Sequence, residues 1–142
     1  ITFNQDISSW NMSSATNLVA MFQDATAFDQ PIGNWERVGS TLANVTTVQQ
    51  MFYGAVAFDQ NIGNWDVSGC TVFTIFMGTK TPATFSANNL DAIYNGWSTL
   101  TLSPNEVISF GTANYNTATS QAGKDILTAS PNFWAISDGE GI

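Results

Sequence analysis

The chain has 142 residues, 3 Lys plus Arg against 11 Asp plus Glu, no histidine, one cysteine and a net charge of −8. Charged residues make up 10% of it, against about 25% in ordinary soluble domains, and 17 Thr, 14 Asn and 13 Ser take their place. This excludes a nucleic-acid binder, every histidine-based triad or metal site and an internal disulfide or thiolate zinc site, and no run approaches the 18 apolar residues of a membrane span.

In chain order, the first feature is an internal repeat. Phe3-Asn4-Gln5-Asp6-Ile7-Ser8-Ser9-Trp10 returns as Phe28-Asp29-Gln30-Pro31-Ile32-Gly33-Asn34-Trp35 and as Phe58-Asp59-Gln60-Asn61-Ile62-Gly63-Asn64-Trp65. A second block follows each Trp: Leu18-x-x-Met21-Phe22, Val48-x-x-Met51-Phe52 and Phe73-x-x-Phe76-Met77. Trp10 and Trp35 are 25 positions apart and Trp35 and Trp65 are 30, so five residues are inserted within 36–44. The shorter period lies in the leucine-rich-repeat range. Each unit reads as a short extended stretch (Ile7, Trp10, Met12) followed by a helical or 3₁₀ turn (Leu18, Met21, Phe22). The expected fold class is therefore an α/β repeat: a short leucine-rich-repeat-like solenoid over residues 1–82, with a parallel sheet on one side and short helices or 3₁₀ turns on the other. The chain opens in mid-unit at Ile1-Thr2-Phe3, without signal peptide or initiator methionine, and the expectation is a fragment or processed product of a longer protein.

Beyond Pro82 the period stops. Residues 85–97 read as a helix with Ser86 or Asn88 as N-cap and Leu90, Ile93, Tyr94 and Trp97 inward. Residues 106–111 read as a strand stopped by Gly111, and 119–127 as a second helix with Ala122, Ile126 and Leu127 inward. Residues 133–139 read as a last strand. Residues 83–142 are thus expected to be a helix–strand–helix–strand cap that closes the solenoid.

Phe3-Asn4-Gln5-Asp6-Ile7-Ser8-Ser9-Trp10-Asn11-Met12-Ser13 and Trp65-Asp66-Val67-Ser68 resemble the BspA-type leucine-rich repeats of microbial surface proteins, and 90–139 looks like the module that often follows them. The resemblance implies a bacterial, protist or viral surface protein linked to adhesion or recognition. The second unit departs from the pattern, with Arg37 where Met12 and Val67 stand.

Several residues carry possible chemistry. Trp10, Trp35 and Trp65 fit a stacked core ladder better than sugar platforms. Asp29 and Asp59 recur at one offset, about 5 Å apart if the units stack, but Asn4 in the first copy favours a turn acceptor over calcium or a glycosidase pair. Cys70 reads as a small buried hydrophobe. Asn11-Met12-Ser13 and Asn44-Val45-Thr46 match the glycosylation sequon, and Gly-x-Gly at 139–141 has no helix after it to make a phosphate loop. With Ile7, Trp10 and Met12 inward, alternation places Ser9 and Asn11, Asn34 and Glu36, and Asn64 and Asp66 on an outer, concave sheet face. Arg37, in the insertion, stands beside them. That ladder is either a ligand-binding surface or a merely solvated sheet.

These readings lead to a non-enzymatic extracellular recognition or adhesion module, at a cell or virion surface, with no catalytic residues, metal or cofactor. Its partner would be a host or neighbouring-cell surface protein or glycan. The alternative is a structural subunit of a filament, sheath or virion appendage that assembles with like subunits.

Overall fold

The motif copies meet through side chains as much as through backbone in the computed structural model, which describes residues 2–37 and 39–142. Asn4 Oδ1 accepts the Asp29 N–H at 3.0 Å and the Gln30 amide at 2.8 Å. Asp29 Oδ1 accepts the Asp59 N–H at 2.9 Å and the Gln60 amide at 2.8 Å. Asp59 Oδ1 in turn accepts the Ser86 N–H at 2.8 Å, the Ser86 hydroxyl at 3.0 Å and the Asn89 amide at 2.9 Å. These side chains therefore bridge consecutive copies; the local turn acceptor expected of Asp29 and Asp59 is a cross-link instead.

The tryptophans run the same way. Trp35 Nε1 donates to Ile7 O at 2.9 Å, Trp65 Nε1 to Ile32 O at 3.1 Å, and Trp97 Nε1 to Ile62 O at 3.3 Å. Phenylalanines stack beside them, Phe22 on Phe28 at 3.9 Å and Phe52 on Phe58 at 4.0 Å. Trp10 departs from the expected ladder: it is 48% exposed, on the outermost copy, with Phe3 and Met21 for company.

Backbone bonds join the copies too. Leu18, Ala20 and Phe22 donate to the carbonyls of Thr47, Gln49 and Met51, and Val48, Gln50 and Phe52 to those of Val72, Thr74 and Phe76. The chain is not extended there, because Ala20, Gln50 and Ile75 take φ of 54°, 55° and 57°, a left-handed conformation that turns it. Among the described residues, single parallel bridges join Asn17 with Thr47 and Thr47 with Val72, beside one antiparallel bridge, Arg37 with Ser40, and a four-residue 3₁₀ helix, Ile32–Trp35.

This overturns the expected solenoid. Among the described residues the α-helices number two and the strands form one two-stranded parallel sheet, all beyond residue 86, and they make a small α/β domain. The concave sheet face on which Ser9, Asn11, Asn34, Glu36, Asn64 and Asp66, with Arg37 beside them, were expected is not formed. Its place is taken by a layer of turns whose side chains do much of the pairing that a sheet does through backbone.

The second half runs α1 (Ala87–Trp97), β1 (Val107–Ser109), α2 (Thr117–Thr128) and β2 (Ala135–Ser137), with Val107, Ile108 and Ser109 opposite Ala135, Ile136 and Ser137. α1 buries Leu90, Ile93, Tyr94 and Trp97, the apolar face its spacing suggests, and its N-cap, Ser86, sits against the Asp59 carboxylate. A carboxylate at that end also suits the helix dipole. α2 differs from expectation. It buries Ser120, Gly123 and Leu127, while Ile126 is 50% exposed. A Cβ on Gly123 would stand 2.7 Å from Tyr94 O, so α1 and α2 approach too closely for an alanine-and-isoleucine face.

The buried Asp91 joins the two helices. Its carboxylate accepts the Asn116 N–H at 2.8 Å, the Asn116 amide at 2.6 Å, the Thr119 hydroxyl at 2.8 Å and the Ser120 hydroxyl at 2.6 Å. Asp138 after β2 accepts the Tyr94 hydroxyl and pairs with Lys124 at 2.7 Å. Lys80, 2% exposed, ties segments within the layer of turns: its ammonium donates to Ala55 O at 2.5 Å, Phe58 O at 2.6 Å, Thr84 O at 3.2 Å and Val56 O at 3.3 Å.

Candidate functional site

The seven residues singled out in the sequence divide by what their side chains already hold. Glu36 Oε2 accepts the Leu42 N–H at 2.9 Å and the Asp66 N–H at 3.2 Å, fastening the insertion to the next copy. The Arg37 guanidinium donates to Ser9 O at 2.6 Å, Asn34 O at 2.6 Å and Ser8 O at 3.2 Å. Asn11 Oδ1 accepts the Ser13 N–H at 2.9 Å, and Asp66 Oδ1 the Ser68 N–H at 3.0 Å and hydroxyl at 2.5 Å, both closing local turns. Ser9 is exposed and offers its carbonyl to Arg37. Sequence distance hides such ties: nothing in the insertion signals that Ser8 and Ser9 carbonyls wait for Arg37.

Asn34 and Asn64 are different, because the fold brings them together. They share an open groove of about 500 Å³ with Gly33, Asn61, Gly63, Ala92 and Gly96. Asn64 Nδ2 donates to Gly33 O at 3.0 Å. The three glycines let neighbouring copies and α1 close on one another, since a Cβ on Gly63 would lie 2.1 Å from Ala92 O and one on Gly96 1.9 Å from Gly63 O. The groove therefore follows the Gly-Asn pairs before Trp35 and Trp65 and reaches into α1. Asn61 is a member that the sequence reading did not single out. Its signal was its place in the slot of Asp6, where both residues accept an N–H two positions on, from Gly63 and Ser8 respectively, at 2.9 Å. Pro31 fills that slot in the middle copy, beside the 3₁₀ helix.

A family model described as "Mycoplasma protein of unknown function, DUF285" matches residues 1–90. The chain belongs to the DUF285 family. The DUF285 match takes in Gly33, Asn34, Asn61, Gly63 and Asn64 and ends within α1, ahead of Ala92 and Gly96. The family is consistent with BspA-type surface proteins. No curated protein and no solved structure matches the chain.

Burial pushes the Cys70 thiol up to about 11, well away from the range of a reactive thiolate. Burial pushes the Tyr94 hydroxyl upward as well, reinforced by its hydrogen bond to Asp138. No group of three or more His, Cys, Asp or Glu suited to a metal ion exists among the described residues, and none of their helices is long and apolar enough to cross a membrane.

Proposed function

We propose that this DUF285 chain is a non-enzymatic recognition module of an extracellular protein, displayed on a cell or virion surface and related to the BspA-type surface proteins that its motif resembles. It binds a protein or glycan of a host or neighbouring cell. The observation that carries this reading is the groove of Asn34, Asn61 and Asn64, an exposed cleft whose amide groups are only partly engaged by the protein itself. Labelled chain incubated with intact bacterial and animal cells, before and after protease treatment, tests it. Saturable retention on at least one cell type is the expected result, and retention on none sinks the reading.

A second reading, a subunit that assembles with like subunits into a filament, sheath or virion appendage, draws on a different observation. The end of the turn layer leaves Phe3 and Trp10 at 36% and 48% exposure, with Ile7, Met21 and Phe22 lining an apolar recess of about 330 Å³. Sedimentation velocity across a wide concentration range separates the two readings, since a purely monomeric chain removes the second.

A further inference from the structure

The chemistry of the groove narrows what it holds, on the reading that this chain is a recognition module. Gly33, Gly63 and Gly96 need no ligand to explain them, because each lies where a Cβ would press on neighbouring backbone. The asparagines are another matter. Asn61 uses its oxygen on the Gly63 N–H and keeps its amide N–H groups, whereas Asn64 uses its amide on Gly33 O and keeps its oxygen. The Asn34 side chain makes no hydrogen bond among the described residues, and all three asparagines are exposed. One cleft thus offers free donors, free acceptors and a whole free amide. Each sugar hydroxyl both donates and accepts, so adjacent hydroxyls match that set.

We infer that the groove binds a neutral oligosaccharide, held by hydrogen bonds between its hydroxyls and Asn34, Asn61 and Asn64. Charge decides against an anionic ligand. No ionisable side chain lines the groove, and the Arg37 guanidinium is turned onto the carbonyls of Ser8, Ser9 and Asn34. The net charge of −8 repels sulfate and carboxylate besides. Apolar surface decides against a peptide. Protein partners anchor on aromatic or aliphatic side chains seated in pockets, and walls of glycine, alanine and asparagine provide no such seat.

An array carrying neutral hexose and N-acetylhexosamine oligosaccharides beside sialylated and sulfated ones is the test, followed by calorimetric titration with the best neutral binder. Neutral oligosaccharides are expected to bind, and Asn34→Ala and Asn64→Ala each to weaken binding by about tenfold. Asn34 holds no bond of its own, so N34A keeps the parent's melting temperature and reads binding alone. Trp10→Ala is expected to leave binding unchanged. Binding confined to sialylated or sulfated sugars overturns the inference, as does binding lost in W10A and retained in both asparagine variants. A blank array with protease-sensitive retention on cells overturns the glycan and leaves the recognition reading standing; a blank on both removes both.

Discussion

Residues 2–86 and 87–142 are held together by different kinds of hydrogen bond. In the turn layer, Asn4, Asp29 and Asp59 and the indoles of Trp35 and Trp65 reach from one copy to the next. In the second half, helices satisfy their own backbone, and side chains such as Asp91 and Asp138 fasten one element to another. The contrast teaches why uncharged polar residues so outnumber charged ones. A side chain that recurs at one offset is stacked on itself, and identical charges in such a column repel. Amides and indoles pass a hydrogen bond along the column without that cost, and the two carboxylates that do recur, Asp29 and Asp59, are each held by N–H donors of the segment that follows.

The largest test of the contrast is within the turn layer itself. Trp65→Ala removes a side chain that is 2% exposed, stacks 5.8 Å from Trp35 and donates to Ile32 O. We expect a loss of about 4 kcal/mol in urea unfolding. Trp10→Ala, at the same motif position on the exposed end, should cost less than about 0.5 kcal/mol. Equal losses would mean that Trp10 is covered in solution.

Next comes the second half. Burial works to raise the Asp91 carboxyl, but the hydrogen bonds from Ser120, Asn116 and Thr119 outweigh it and hold it below the usual value of 3.8. A carboxyl lowered in the folded state gives stability that is present above its unfolded value and is lost as pH falls through the folded one. Asp91→Ala should therefore cost about 3 kcal/mol at neutral pH and flatten the acid limb of the stability curve below about pH 4. A D91A protein whose stability falls with acid as steeply as the parent's would contradict this.

The turn layer has a pH signature of the same sign in an alkaline window. Burial pulls Lys80 down from 10.5 to about 8, against the opposing influence of Asp59 and then Asp29. Between those two values the unfolded chain holds a proton that the folded chain does not, so stability rises with pH there. The gain should approach about 2 kcal/mol between roughly pH 8 and 9.5 and be absent in Lys80→Met. Unfolding curves for both proteins at pH 7.5, 8.5 and 9.5 would show it.

How far the sequence revealed these layers follows from where the information sits. Leu90, Ile93, Tyr94 and Trp97 mark α1 by spacing alone, because nothing but burial decides that face. α2 was misread at Ala122 and Ile126 because its inner face is set by how closely Tyr94 O approaches Gly123, a distance between elements. The motif copies were legible, yet the extended stretch expected at Ile7, Trp10 and Met12 forms no strand among the described residues, and the block after it turns through left-handed Ala20, Gln50 and Ile75, where no glycine announces that conformation. At the groove, the repeated Asn34 and Asn64 were visible by offset. The inward ties of Glu36 and Arg37 were not, because their partners are N–H and carbonyl groups that any residue possesses.

The smallest effect concerns that same left-handed column. Ile75 stands at φ 57° and is 40% exposed. A β-branched side chain in this region is strained, by roughly 1–2 kcal/mol for an ordinary residue. Ala20 and Gln50 occupy the equivalent position in the other copies with less branching. Asparagine tolerates the conformation well, and exposure means that little packing is lost with the isoleucine. Ile75→Asn should therefore stabilise the chain by about 0.5–1 kcal/mol, read as a higher urea midpoint with an unchanged slope. A destabilised I75N would mean instead that the contact of Ile75 over Gly78, where a Cβ would meet Cγ2 at 2.7 Å, holds the turn in place. The strain would then be what the turn layer tolerates to keep its last copy closed.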